Sequence, residues 1–186
     1  MKKTTITWML LGLAAVGMFL LPQTGSVSQA AQRAAALTLD VACDGSTFTL
    51  NRATAASEGI HRGDTYVLNG KIYAGGAIPE GGTRSAPSSF GPDQPGSIGV
   101  WYCRGTFLVG GAKFSEEKIQ RVSTHYFTLN DKNRLFTEGF EGSVDITRAV
   151  VGGINTYAGA RGIVTMQRLG VNATGSYNLR FTFSLD

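Results

Sequence analysis

The sequence has few of the residues on which metalloenzymes and nucleophilic enzymes depend. It contains only two histidines, His61 and His125, and two cysteines. It has no His-x-x-x-His or Cys-x-x-Cys spacing, no Gly-x-Ser-x-Gly elbow and no glycine-rich phosphate loop ending in Lys-Ser/Thr. We therefore predict that the protein uses no metal and no cofactor.

Clusters of basic residues are also missing. The chain has 17 basic and 13 acidic residues, and its arginines are dispersed through strand-like segments. Without residues 1–30, which hold Lys2 and Lys3 but no acid, 15 basic and 13 acidic residues remain, a formal charge of +2. A nearly neutral chain without a basic patch predicts no nucleic-acid partner.

A long apolar run occurs at the N-terminus. It extends from Ile6 to Leu21, follows Lys2 and Lys3, and precedes Ser28-Gln29-Ala30, which has the small residues of a signal-peptidase site. A retained membrane anchor is the alternative, but the run is shorter than the roughly 20 residues that a spanning helix needs. We predict a signal peptide over residues 1–30, a secreted or periplasmic protein, and no membrane association after cleavage.

The two cysteines, Cys43 and Cys103, allow two interpretations. An even number of cysteines in an exported protein favours a disulfide, which would connect the first strand to the middle of the sheet. The alternative is a pair of buried thiols that act as small apolar side chains. The predicted export favours the disulfide, although connectivity does not follow from sequence.

Residues 31–186 have the pattern of a single all-β domain. Short runs of alternating apolar and polar residues are separated by turn residues, and no long helical period occurs. The candidate strands are 37–43, 47–51, 64–73, 97–109, 118–130, 134–141, 144–151, 161–168 and 176–185. About eight short strands with hairpin links predict a sandwich or a closed antiparallel barrel.

Residues 75–96 form the one long irregular segment, with four prolines among glycines and serines. Loops of this length in compact domains are usually functional lids or disordered excursions. The sequence leaves both possibilities open.

The stretch from Val150 to Gly162, VVGGINTYAGARG, joins two candidate strands through glycines. We predict that Gly152 and Gly153 adopt the positive φ of a tight turn, because glycine has no Cβ to oppose it. Gly159 and Gly162 then bracket the start of the following strand.

Alternation divides the central strands into two faces. Trp101 and Cys103 share one face of their strand, whereas His125 lies on the face opposite Tyr126. Which face lines the interior stays open. Taken singly, His125 is more typical of a satisfied or surface histidine than of a base, and Glu141 of a solvated strand end.

Residues 63–185 resemble the allene oxide cyclase and dirigent proteins. The resemblance rests on the order and spacing of GDTYVLNGKIYAGG, PGSIGVWYCRGTF, THYFTLNDKNRLFTEGFEG, RAVVGGINTYAGARGIV and YNLRFTFSL. It implies an all-β, eight-stranded antiparallel barrel, a size that can hold one small ligand. Dimers and trimers occur in these families, so the resemblance also implies a possible homodimer or homotrimer.

The resemblance assigns residues to a ligand cavity. Asn69 and Asn51 match the asparagines that hold an ordered water in the cyclases, and Cys103 matches their cavity cysteine. The cyclases have a glutamate where this chain has Thr49, so charge control of a cationic intermediate lacks its expected group. On the dirigent side, the candidate catalytic groups are Asp64 and Arg161. Aromatic residues on the same strands complete the predicted ligand-binding set: Tyr66, Trp101 and Tyr126.

These observations predict an exported barrel that binds an apolar or phenolic small molecule. A dry barrel with a few placed dipoles can hold a flexible substrate in one reactive shape, and so steer its cyclisation or coupling without a strong acid or base. The alternatives are a non-catalytic small-ligand carrier and a purely structural barrel with a filled interior, because a fold alone does not specify a function.

Overall fold

The computed structural model describes residues 35–53, 58–81, 83–111, 119–142 and 145–186, which belong to one compact unit. The predicted signal peptide, residues 1–30, lies outside the described residues. Within the described ranges, no helix has the length and apolar character needed to cross a membrane.

Eight strands form a closed antiparallel barrel in which each strand pairs with its neighbours in sequence and β8 pairs with β1. The strands are β1 Ala35–Asn51, β2 Thr65–Ala74, β3 Gly99–Phe107, β4 Ile119–Leu129, β5 Arg134–Gly142, β6 Ile146–Ile154, β7 Gly162–Val171 and β8 Tyr177–Leu185. The predicted fold class, an all-β barrel of eight antiparallel strands, is confirmed. The first two candidate strands are one strand, because β1 continues through an irregularity between Asp44 and Thr49.

Alternation within each strand separates the barrel interior from its outer wall. The interior is apolar and rich in aromatic rings, which suits strands with one buried face. At the end where β1 begins, here called the packed end, Phe127 lies edge-on to Phe181 and Phe183 at ring distances of 5.0 and 5.2 Å. These rings fill that end, so space for a ligand lies toward the opposite end, here called the open end.

Residues 75–96, apart from residue 82, lie along the outer wall of the barrel. Ile78 and Phe90 cover Tyr73 and Leu169, and the Tyr73 and Phe90 rings meet edge-on at 4.9 Å. Buried Asp40 anchors the start of the segment, because its carboxylate accepts hydrogen bonds from the backbone N–H groups of Gly76 and Ile78. Asp40 also forms an ion pair with Arg180 on β8. The described part of the segment therefore packs on the outside of the wall, away from the barrel interior.

The turn between β6 and β7 differs from its prediction. Gly152 and Gly153 continue β6 in extended conformation, and the positive φ angles lie further on, at Asn155 (60°), Gly159 (78°) and Gly162 (129°). Position 153 needs a glycine for another reason: the backbone of Tyr157 comes so close that a Cβ would lie 2.4 Å from its carbonyl oxygen.

Candidate functional site

A cavity of about 160 Å³ lies inside the barrel toward the open end. One side is apolar and the other carries charged and polar groups. Its lining residues are Cys43, Phe48, Tyr66, Leu68, Trp101, Cys103, Arg121, His125, Glu141, Met166, Arg168, Ser176, Tyr177 and Leu179.

Glu141, near the end of β5, is the centre of the polar side. Its Oε1 accepts hydrogen bonds from Ser123 Oγ and His125 Nε2, both at 2.5 Å, and from Arg148 Nη1 at 3.2 Å. Its Oε2 accepts a bond from Arg121 Nε at 2.6 Å. The expectation of a solvated Glu141 is wrong, because β5 turns this side chain inward, where 5% of it is exposed.

The charge state of Glu141 follows from these partners. Burial alone would raise its pKa, but His125 and the guanidinium groups of Arg121 and Arg148 outweigh burial and hold the pKa well below its usual range. Glu141 is therefore an ionised carboxylate inside the barrel.

His125, on β4, is a buried neutral histidine. Burial lowers its pKa to about 4, despite the neighbouring carboxylate. The neutral ring donates its Nε2 proton to Glu141, which leaves Nδ1 as an acceptor, and that atom is buried without a hydrogen-bond partner. The indole N–H of Trp101, whose ring meets His125 edge-on at 4.9 Å, is also buried and unpartnered.

Arg148, on β6, links Ser123 and Glu141 on the polar side of the cavity. Its side chain is fully buried and donates to the Ser123 carbonyl at 2.7 Å and Ser123 Oγ at 3.0 Å as well as to Glu141. The missing side chain of Gly139 makes room for it, since a Cβ there would lie 3.1 Å from Cγ of Arg148.

Tyr66 and Cys103 extend this network into the cavity. The Tyr66 hydroxyl donates to Glu141 Oε2 at 3.4 Å, and the Cys103 thiol lies 3.6 Å from the Tyr66 oxygen. Burial raises the pKa of Tyr66 above its ordinary value and that of Cys103 to about 12. Both groups are therefore neutral at pH 7.

The predicted Cys43–Cys103 disulfide is wrong: both cysteines are buried free thiols. β2 lies between their strands β1 and β3. Two strand spacings put their Cα atoms about 9–10 Å apart, whereas a disulfide needs less than about 7 Å. Both thiols line the cavity instead.

Three buried side chains in the cavity have the residue types of metal ligands. The ligand atoms of Cys103, His125 and Glu141 lie within 4.8 Å of one another. However, Glu141 already accepts bonds from two arginines, and the raised thiol pKa opposes formation of the thiolate that binds metals. The donor set fits a hydrogen-bonded network better than a divalent cation.

The predicted ligand-binding residues divide between the two sides of the wall. Tyr66, Trp101 and Cys103 lie together in the cavity, as described above. The other three lie outside it, because they alternate with inward-facing neighbours. Asn51 is exposed at the end of β1, Asn69 lies on the outer face of β2, and Tyr126 packs outside against Phe136.

The two candidate catalytic residues lie apart from the cavity lining and from each other. Asp64 is buried in the β1–β2 connection at the open end, where its carboxylate accepts backbone N–H bonds from Ala53 and His61. Arg161 is exposed in the β6–β7 connection at the packed end, and donates to the Ala160 carbonyl. Both have roles in their own loops.

The charged half of the site was not predicted from the sequence. Arg121, Ser123 and His125 alternate along β4, a pattern that places them on one face with Phe127. A row of polar residues ending in an inward aromatic residue is the signal that could have identified them. Thr49 brings no carboxylate to the cavity, and the carboxylate that lines it is that of Glu141, on a different strand.

Comparison with solved structures identifies the architecture. Two pterocarpan synthase dirigent proteins match with TM-scores of 0.56 and 0.54 and sequence identities of 13% and 14%. The matches cover 80% of this chain in both cases, and 91% and 81% of theirs. The fold is the dirigent-type barrel.

A second kind of protein has the same dirigent-type barrel. A pyocyanin demethylase matches with a TM-score of 0.52 and 15% identity, over 81% of this chain and 99% of its own. No protein-family model and no curated protein matches the sequence. At these identities, the likeness establishes the fold.

Proposed function

We propose that this protein is an exported dirigent-type barrel that binds one small apolar or phenolic molecule in its cavity and steers its reaction. Structural neighbours that include a demethylase and two pterocarpan synthase dirigent proteins support this function for the fold. The observation that carries the proposal is the pair of unpartnered polar atoms, Trp101 Nε1 and His125 Nδ1, on residues that line the cavity.

Such a pair suits a ligand hydroxyl. A buried donor or acceptor without a partner costs about 1–3 kcal/mol, so a group that satisfies both atoms binds favourably. A phenolic oxygen can accept a hydrogen bond from the indole N–H and donate its own proton to His125 Nδ1. The apolar side of the cavity then holds the ring.

The same arrangement can move a proton. When an added one-electron oxidant removes an electron from a bound phenol, the hydroxyl proton can pass to Nδ1, leaving a phenoxyl radical on the ligand and an imidazolium on His125. Glu141, already bonded to Nε2, stabilises that imidazolium and fixes the ring orientation.

A non-catalytic carrier is the second candidate. The carboxylate of Glu141 accepts bonds from Arg121, Ser123, His125 and Arg148, so its oxygens are occupied before a ligand arrives. This saturation favours a site that binds and orients over one that reacts.

Binding is tested with 4-methylphenol and toluene, which differ only by the hydroxyl. We expect quenching of Trp101 fluorescence by 4-methylphenol at lower concentration than by toluene, in a Trp8→Phe background that leaves Trp101 as the only tryptophan. His125→Gln should remove this difference and His61→Gln should keep it. Equal binding of both compounds by all variants would contradict the assigned polar pair.

Steering is tested with a propenyl-substituted phenol and an added one-electron oxidant. We expect the protein to change the stereochemical ratio of the coupled products, and His125→Gln to restore the ratio found without protein. Saturable binding with an unchanged ratio favours the carrier. An absence of binding by either class of probe contradicts both functions.

Export is part of the proposal and rests on the pattern of residues 1–30. Expression in a bacterial host with a secretory pathway should yield a protein that begins at Ala31, read by N-terminal sequencing. Recovery of a cytoplasmic chain that still begins at Met1 would contradict export.

A further inference from the structure

The cavity has more positive than negative charge. Glu141 is its one ionised acid among the described lining residues, whereas Arg121 and Arg168 both line it and Arg148 lies directly behind Glu141. With His125 and both cavity thiols neutral, the site has a formal charge of +2. An apolar ligand alone leaves that charge uncompensated.

Arg148 donates its hydrogen bonds to Ser123 and Glu141 within the barrel wall. Arg121 and Arg168 keep N–H groups that can still bind a ligand. Arg121 is bound to Glu141 through Nε, and its guanidinium lies 5.6 Å from the centre of the Tyr66 ring. Among the described residues, its two terminal amino groups make no hydrogen bond. Arg168, on β7, donates Nη2 to the Gly142 carbonyl at 2.8 Å and lies 4.2 Å from the centre of the Tyr177 ring. In the described part of the chain it has no acidic partner within ion-pair distance.

The environment of Arg168 is unfavourable for an isolated cation. Burial, together with the like charge of Arg121 and Arg84, lowers its pKa. A negatively charged group between Arg168 and Arg121 would relieve both effects, and a carboxylate matches the planar fork of a guanidinium group.

The rest of the cavity restricts the size of that ligand. Its apolar lining, which includes Leu68, Trp101, Met166 and Leu179, borders a space of about 160 Å³. A cavity of about 150 Å³ holds one benzene ring. The ligand body is thus about the size of one aromatic ring, with its charged group at the open end.

We infer that the cavity takes a small aromatic carboxylate, with the ring against Trp101 and the carboxylate held by Arg168 and Arg121. This inference rests on the proposed function, because it names the ligand class of the same cavity. It adds a role for Arg168, a residue that the proposed proton transfer does not use.

Benzoate and benzamide test the inference, because they have nearly the same shape and differ in charge. Binding to the full chain is followed at neutral pH through the indole N–H resonance of Trp101, assigned with Trp101→Phe. We expect benzoate to bind about 10- to 100-fold more tightly, the usual value of a hydrogen bond to a charged group. Raising the salt from about 0.05 to about 0.5 M should weaken benzoate binding selectively.

Variants locate the charge recognition. Arg168→Gln should reduce the preference for benzoate to less than about threefold, whereas Arg168→Lys should retain most of it because it keeps the charge. Arg104→Gln is the matched control, since Arg104 lies on the outer wall over the Tyr126 ring. It should leave the preference unchanged.

Three outcomes overturn the inference. Equal affinity for benzoate and benzamide in the wild-type protein overturns it while leaving cavity binding, and therefore the proposed function, intact. A preference that is unchanged in a folded Arg168→Gln protein also overturns it. If neither compound binds while 4-methylphenol does, the carboxylate class is wrong and the phenolic one stands.

Discussion

At the scale of single residues, Glu141 shows how an all-β barrel keeps an ionised carboxylate inside an apolar interior. An unpaired buried charge is too costly to persist, and one partner seldom offsets the desolvation of two charges. Here two arginines, a serine and a histidine share the carboxylate. Their combined donors keep the pKa of Glu141 low despite its burial.

Glu141→Gln tests this balance. The amide removes the negative charge but leaves Arg121 and Arg148 in place, so the variant should lose about 3–5 kcal/mol in its free energy of unfolding, measured in urea. Glu138→Gln is the control, because Glu138 is exposed on the same strand and should change stability by less than about 0.5 kcal/mol. A loss for Glu141→Gln as small as the control would show that the buried arginines do not depend on the carboxylate.

His125 predicts a pH dependence of stability. Its pKa is about 4 in the folded protein and about 6.5 in an unfolded chain. Between these values the unfolded state binds more protons, so stability rises with pH across this window and is lost as pH falls below about 6.5. The loss between about pH 7.5 and about pH 5 should be about 2 kcal/mol.

Urea unfolding of two variants isolates this contribution. His125→Gln keeps a donor for Glu141 but cannot titrate, so its stability should change less over that pH range than that of the wild type. His61→Gln should keep the wild-type dependence, since His61 is the only other histidine and is partly exposed. Identical pH profiles for all three proteins would mean that His125 does not govern acid stability.

At the scale of elements, the adjacent glycines of β6 have different reasons to be glycine. Both are extended, but a Cβ on Gly153 would meet the Tyr157 carbonyl oxygen at 2.4 Å and the Arg134 carbonyl oxygen at 2.7 Å. A Cβ on Gly152 has no neighbour closer than 3.7 Å. The β6–β7 turn folds back onto β5 at Gly153, so only that position excludes a side chain.

Alanine at each position gives a matched comparison. Gly153→Ala should lower the free energy of unfolding by about 2–3 kcal/mol, since a shift of the Tyr157 carbonyl disturbs its turn hydrogen bond from the Ala160 N–H, and a shift of the Arg134 carbonyl disturbs β5. Gly152→Ala should stay within about 1 kcal/mol of the wild type in either direction. Urea unfolding distinguishes the two, and equal losses would show that the turn adjusts to a side chain.

Elements were more predictable from the sequence than the site that they carry. Alternating runs ending in turn residues indicate each strand, because strand periodicity is a local property. Which face of a strand points into the barrel is not a local property. The alternation along β4 is equally compatible with Tyr126 or His125 inside the barrel. Glu141 beside Gly142 resembles a solvated strand end until the barrel closes around it. The predicted disulfide was wrong because it too depends on a non-local property: the strand order of the barrel places β2 between the strands of the two cysteines.

At the scale of the whole molecule, the two sides of the outer wall differ. Residues 75–96, apart from residue 82, cover part of the wall formed by β1, β2, β7 and β8. The wall of β3 to β5 has no such cover within the described ranges. There Tyr102 (44% exposed) and Phe140 (51% exposed) accompany the half-buried pair Tyr126 and Phe136. We call these four residues the outer patch.

We propose that a second copy of the chain covers the outer patch, which would give the predicted homodimer or homotrimer. A closed barrel has no free strand edge, so association must use side-chain faces. Aromatic residues on three adjacent strands suit a symmetric contact, although the polar row of Arg104, Thr124 and Glu138 separates Phe140 from the other three. Sedimentation velocity from about 1 to about 100 µM should show a concentration-dependent dimer or trimer. Phe140→Asp should shift it to monomer, whereas Ile163→Asp should not, because Ile163 is equally exposed but lies on β7, away from the patch. A wild-type monomer throughout, or equal effects of both variants, would contradict this assignment and leave the patch exposed on a single barrel.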